Sequence, residues 1–193
     1  MRDRRVTRGA GAGSSERGQA GGAVGRRKAV QDARRDREFE AFVAGAAGRL
    51  LHAATLLTAE PRDDNPRARR LLTLSLAHTY ACWDRLRGED PYDRTRQYLA
   101  TRFSRAAWHQ YGSLGALGRS RTHAAGPLAG LTPQERLILV LRLYEGVAEE
   151  QTAALLGLPR ERVHTICDRA TATLLHPPRG PAPAVLGAKA VSP

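Results

Sequence analysis

Residues 131–175 restrict what the chain can fold into more than any other stretch. "LTPQE" supplies Thr132 as a helix cap, Pro133 as the first helical residue and Glu135 three positions after the cap, a capping box. The heavily apolar run "QERLILVLRLYEG" continues that helix. In "AEEQTAALLGLPRERVHTICDRATATLL" a short helix over 149–156 ends at Gly157, which supplies a left-handed turn. Pro159 then opens a second helix over 160–175. Ala153 is the small residue where the two helices cross, and Leu156, Leu158 and Val163 are apolar where they pack. Five positions therefore match a helix-turn-helix, each for its own chemical reason.

The second helix of such a unit enters the major groove of DNA. Its outward residues are Arg160, Glu161, Arg162, His164, Thr165 and Arg169, flanked by Asp168. Arginine can read guanine through two acceptors, and threonine and histidine can bind bases or phosphates. The plainer alternative is a helical hairpin with solvated arginines.

Upstream, Phe39, Phe42, Val43, Ala46, Ala47, Leu50, Ala54 and Leu57 recur at three- and four-residue steps, an amphipathic helix starting near Asp36. "TAEPRDDNP" ends it with turn chemistry, in which Asp63 and Asp64 are a polar turn and not a paired acid site. A second helix runs from about Arg67 to Arg87, and "GEDP" breaks it. Asp90 and Pro91 then start a third helix bearing Tyr92, Leu99, Phe103 and Ala106. No segment alternates with period two, so the fold class is all-α. Two small helical domains are expected, 36–111 and 131–176, joined by a flexible Gly-rich linker over 112–130. Residues 1–35 read as a disordered basic arm and 177–193 as a disordered tail.

The net charge of +12 suits a polyanionic partner. Half of it lies in residues 1–38, which hold 11 basic and 5 acidic groups. Cys82 and Cys167 form no disulfide framework, and no signal-peptide core or run of about 20 apolar residues is evident, so a cytoplasmic protein is expected. His78 with Cys82 and His164 with Cys167 could make a zinc site only if two domains met, so no metal and no cofactor is expected. Trp83, Trp108, Tyr98 and Tyr111 could stack on unpaired bases, with core packing the simpler role for Trp83. No phosphate loop, nucleophile–base pair or carboxylate constellation points to an enzyme.

Three stretches, "RLLHAATLLT" (49–58), "YACWDRL" (80–86) and "LTPQERLILVLRLYEGVAEEQTAALLGLPRERV" (131–163), resemble the extracytoplasmic-function group of sigma-70-family factors, most nearly its actinobacterial branch. The resemblance implies a transcription initiation protein that binds RNA polymerase core through its first domain and promoter DNA through its second. It also implies an anti-sigma or other regulatory protein as a further partner. Arg67, Arg69, Arg70 and Thr73 fall on the helix that meets the polymerase. Family members carry an acidic run there, and this chain carries "RARR" (67–70). Arg105 stands where the family favours Asn, Ala148 where a Ser caps the motif, and His164-Thr165-Ile166 where a basic-Ser-Arg run is usual. The competing reading is a degenerate sigma-fold regulator or adaptor that does not support initiation.

Overall fold

Helix α1 runs from Ser15 to Thr58 in the computed structural model, which describes residues 15–86, 88–112 and 125–176. Side chains are described from residue 25, excluding 108–112. The helix begins well before Asp36, so residues 15–35 are helical and not the disordered arm expected from their composition. Residues 26–37, "RRKAVQDARRDR", are mostly good helix formers once a downstream helix nucleates them. Specific contacts add to that. Arg34 pairs with Glu38 at 2.7 Å, while Arg35 reaches the Tyr80 hydroxyl at 3.1 Å and Asp84 at 3.4 Å. Residues 1–14, 113–124 and the tail 177–193 lie outside the described residues.

Residues 25–58 are long and apolar enough by composition to cross a bilayer. Their apolar stripe is spent elsewhere. Leu50, Ala53, Ala54 and Leu57 are buried against α2 (Pro66–Ala81) and α3 (Pro91–Gly112), as in the core helix of a bundle. A short 3-10 turn, Trp83–Arg85, joins α2 to the approach to α3. There Trp83 packs on Phe39 and Phe42, with ring centroids 5.2 and 5.5 Å apart.

The C-terminal half holds α4 (Pro133–Leu139), a π-helical turn (Val140–Tyr144), α5 (Glu149–Leu156) and α6 (Arg160–Leu175). No strand occurs among the described residues. The capping box forms as expected: Thr132 Oγ1 accepts from the Glu135 amide, and Glu135 accepts from the Thr132 amide at 2.9 Å. Burial works to raise the Glu135 carboxyl, but the Thr132 amide and hydroxyl and the Arg169 guanidinium outweigh it and hold it below its usual value. In the π turn the Glu145 amide reaches back five residues to the Val140 carbonyl at 2.9 Å. That widened turn keeps Val140 and Leu141 buried, leaves Leu143 exposed and carries Glu145 inward.

The two helical units share a core. Ala53, Ala54, Leu57, Leu99 and Phe103 of the first pack with Leu137, Val140, Leu141 and Val147 of the second. Polar contacts cross the same seam. The buried Arg136 donates Nε to the Leu57 carbonyl at 2.8 Å, a cation at the C-terminal end of α1 where the helix dipole favours one. Glu145, its side chain 1% exposed, accepts from the Tyr92 hydroxyl at 2.9 Å and lies 3.6 Å from Arg49 and 3.8 Å from Arg96. Burial, and then the hydrogen bond to Glu145, push the Tyr92 hydroxyl well above the usual phenol range.

The end of the expected linker is anchored, contrary to the flexible segment predicted through residue 130. Ala59 adopts a left-handed φ of 54° beyond α1 and turns its carbonyl outward, where the amides of Ala125 and Gly126 bind it at 3.1 and 2.9 Å. Gly126 sits so close that a Cβ there would lie 2.7 Å from the Glu60 carbonyl oxygen. The sequence hides this contact because its partners are more than 60 residues apart and mostly backbone.

Candidate nucleic-acid interface

Alanine-rich α5 and arginine-rich α6 meet across a turn made by one glycine. Gly157 has φ 64°, a region costly for any residue with a Cβ. Its amide bonds the Ala154 carbonyl at 3.4 Å and the Leu158 amide bonds the Ala153 carbonyl at 3.0 Å, a Schellman closure of α5. Ala153, Val163 and Ile166 then pack with Ile138 in a second core, joined by Leu156, Leu158 and Cys167. Burial pushes the Cys167 thiol up, so it stays protonated.

With Val163, Ile166 and Ala170 buried, the opposite side of α6 is presented to solvent. Arg160, Glu161, Arg162, His164, Thr165, Asp168 and Arg169 are all exposed there. The structure thus brings the six sequence-derived candidates to one accessible surface, but most of them are tethered. Arg160 binds Glu149 at 2.9 Å and Glu150 at 3.0 Å. His164 sits 3.2 Å from both Glu149 and Asp168. Arg169 holds Glu135 at 3.0 Å, and the Thr165 hydroxyl donates to the Glu161 carbonyl at 2.8 Å. The Arg160 hydrogen bond is the main influence holding the Glu149 carboxyl below its usual value. Among the basic residues of α6, Arg162 alone makes no side-chain hydrogen bond or ion pair with the described residues.

Residues 149–175 carry three arginines and four carboxylates, so this motif has no excess positive charge of its own. An exposed ion pair such as Arg160–Glu150 is worth about 0–1 kcal/mol, so a phosphate or base edge can displace Glu150 from Arg160 at small cost. Discrimination can arise on α6; long-range attraction to a polyanion must come from elsewhere on the chain.

Arg67, Arg69, Arg70 and Thr73 are exposed on the first two turns of α2. Three cations at a helix N-terminus oppose the helix dipole, and the structure supplies the compensation. Glu60, 4% exposed, accepts from the amide of Arg67 at 3.1 Å and of Ala68 at 2.8 Å. A buried carboxylate from the preceding turn therefore caps α2, while Asn65, at the cap position, makes no side-chain cap bond. Sequence reasoning missed Glu60. The available signal was an acid just past the end of one helix and seven residues before the amides of the next.

Residues 128–175 match the family profile for sigma-70, region 4. Over 152 residues the chain is 30% identical to the RNA polymerase sigma-E factor of Streptomyces avermitilis, covering 71% of this chain and 83% of that protein. The corresponding factor of Streptomyces coelicolor is 30% identical over 152 residues, with 84% of its length covered. The chain belongs to the extracytoplasmic-function sigma factors of the sigma-70 family, in the actinobacterial branch. No solved structure gives a significant match.

Within this sigma factor the remaining sequence candidates fall to ordinary roles. His78 contacts Cys82 at 4.0 Å on α2 and stacks on Tyr98, with centroids 3.8 Å apart. His164 is engaged with carboxylates and Cys167 with the second core, and among the described residues no group of three His, Cys, Asp or Glu side chains is arranged to hold a metal ion. Trp83 packs on two phenylalanines of α1. The side chains of Trp108 and Tyr111 lie outside the described residues.

Proposed function

We propose that this sigma factor directs RNA polymerase core to promoters, with α6 as its recognition helix. The observation that carries this reading is the helix-turn-helix closed at Gly157, with Arg160, Glu161, Arg162, His164, Thr165 and Arg169 on one exposed face inside the region 4 match. The sigma-E relatives named above support polymerase as the partner. Residues 36–111 form the polymerase-binding unit and 131–176 the promoter-reading unit. Arg67, Arg69, Arg70 and Thr73 face the polymerase, through basic chemistry in place of the acidic chemistry usual in the family. The protein acts inside the cell as an initiation factor and not as an enzyme, and an anti-sigma protein is its expected regulator.

Reconstituted transcription with core polymerase, paired with a core pull-down, tests the reading. Promoter-dependent transcripts and core association are expected. Retained promoter binding without core association would replace this reading with that of a DNA-binding regulator. Arg162→Ala is expected to weaken specific promoter binding by about 1–3 kcal/mol, the worth of one base contact. Unchanged affinity would remove α6 from the interface.

A further inference from the structure

The first turn of α2 does more than present arginines to solvent. Arg67 and Arg70 wall a pocket of about 200 Å³, completed by Arg102 of α3 and Arg136 of α4 over an apolar floor that includes Leu71 and Phe103. Among the described residues no carboxylate lines it. Glu60 is close in sequence, but its oxygens are taken by the α2 amides and the Thr58 hydroxyl at 2.8–3.1 Å. The side chains of Arg67, Arg70 and Arg102 make no hydrogen bond or ion pair with the described residues, whereas Arg34 and Arg35 of α1 and three of the four downstream arginines named above are matched to acids or carbonyls.

Like charges gathered in one concavity repel one another, and a multivalent anion removes that cost. Planar guanidinium forks suit phosphate oxygens, which they can bind two at a time. The volume lies under the roughly 300–1,000 Å³ of sites for drug-sized ligands, which restricts the occupant to a short phosphate chain. We infer that the pocket walled by Arg67, Arg70 and Arg102 binds a phosphate group, supplied by a free oligophosphate or by a nucleic-acid backbone. This inference does not rest on promoter recognition by α6.

The experiment titrates the full chain with inorganic tripolyphosphate and, separately, with a short non-promoter duplex, by calorimetry at fixed moderate salt. Arg70→Gln/Arg102→Gln is compared with Arg26→Gln/Arg27→Gln, which removes the same charge from the exposed start of α1. All four positions are exposed, and circular dichroism checks that each variant folds. Saturable binding weakened about tenfold or more by the first pair, and by twofold or less in the second, is expected for at least one ligand. Weakening seen only with tripolyphosphate assigns the site to free oligophosphate; weakening seen only with the duplex assigns it to a nucleic-acid backbone. Equal effects of the two double variants, or no saturable binding of either ligand, would overturn the assignment. Neither ligand carries a promoter sequence, so failure here is distinct from failure of the promoter reading.

Discussion

Replacing Glu60 by alanine removes the cap of α2 without touching any apolar contact, which makes it a clean test of how this helix tolerates three first-turn arginines. Two amides lose their acceptor. The Ala68 amide, 2.8 Å from the carboxylate on a residue with no exposure, has no access to water, and an unsatisfied buried donor costs about 1–3 kcal/mol. Arg67 is exposed, so its amide can rehydrate and adds little. Loss of the negative charge at the helix N-terminus adds a further ~0.3–1 kcal/mol. The expected loss is therefore about 1–4 kcal/mol, read by urea unfolding followed at 222 nm. Glu60→Gln keeps one acceptor but loses the charge, and is expected to cost about half as much. A loss under about 0.5 kcal/mol in the alanine variant would refute the account, since it would mean the amides find water or another acceptor.

Gly126→Ala drives a Cβ to 2.7 Å from the Glu60 carbonyl oxygen, a backbone atom that cannot swing aside. A destabilisation of about 1–3 kcal/mol in urea unfolding is expected, and Gly130→Ala, with open space around it, serves as the control. Glu135 gives a pH prediction. Its folded carboxyl is held below the usual value of 4.5, so its contribution is fully present above that pH and is lost as pH falls through the lower folded value. Thermal unfolding of the wild type is expected to lose stability over that acid range more steeply than Glu135→Gln, and parallel pH profiles would refute the assignment.

Helices with strong periodicity and explicit punctuation were legible in the sequence. Thr132 and Glu135 announced their capping box, Gly157 its left-handed turn, and Phe39 to Leu57 their buried stripe. These signals are local, with cause and effect within a few residues of each other. What escaped depends on distant partners. The helix over 15–35 owes part of its order to Tyr80 and Asp84 meeting Arg35, and the anchored end of the linker depends on a backbone carbonyl freed at Ala59. The candidate residues of α6 lie on its exposed face, as their spacing predicts. Their tethering was not legible, because Glu149 serves Arg160 and His164 from another helix and Glu135 serves both its own cap and Arg169. The arginine pocket needs three helices to exist at all, and in the sequence it is only scattered charge.

The π turn at Val140–Tyr144 sets the azimuth of everything after it. A single-residue deletion there, restoring ordinary α geometry, would rotate the following segment by about 100° and draw it back by about 1.5 Å. Every downstream helix could form unchanged, with the same caps and the same residues. Yet Glu145 would leave Arg49 and Arg96, and the face bearing Arg162 and His164 would point in another direction. Chain length across those five residues is thus a phase angle between the two halves of the protein, and it is as much a determinant of what α6 can touch as the side chains α6 carries.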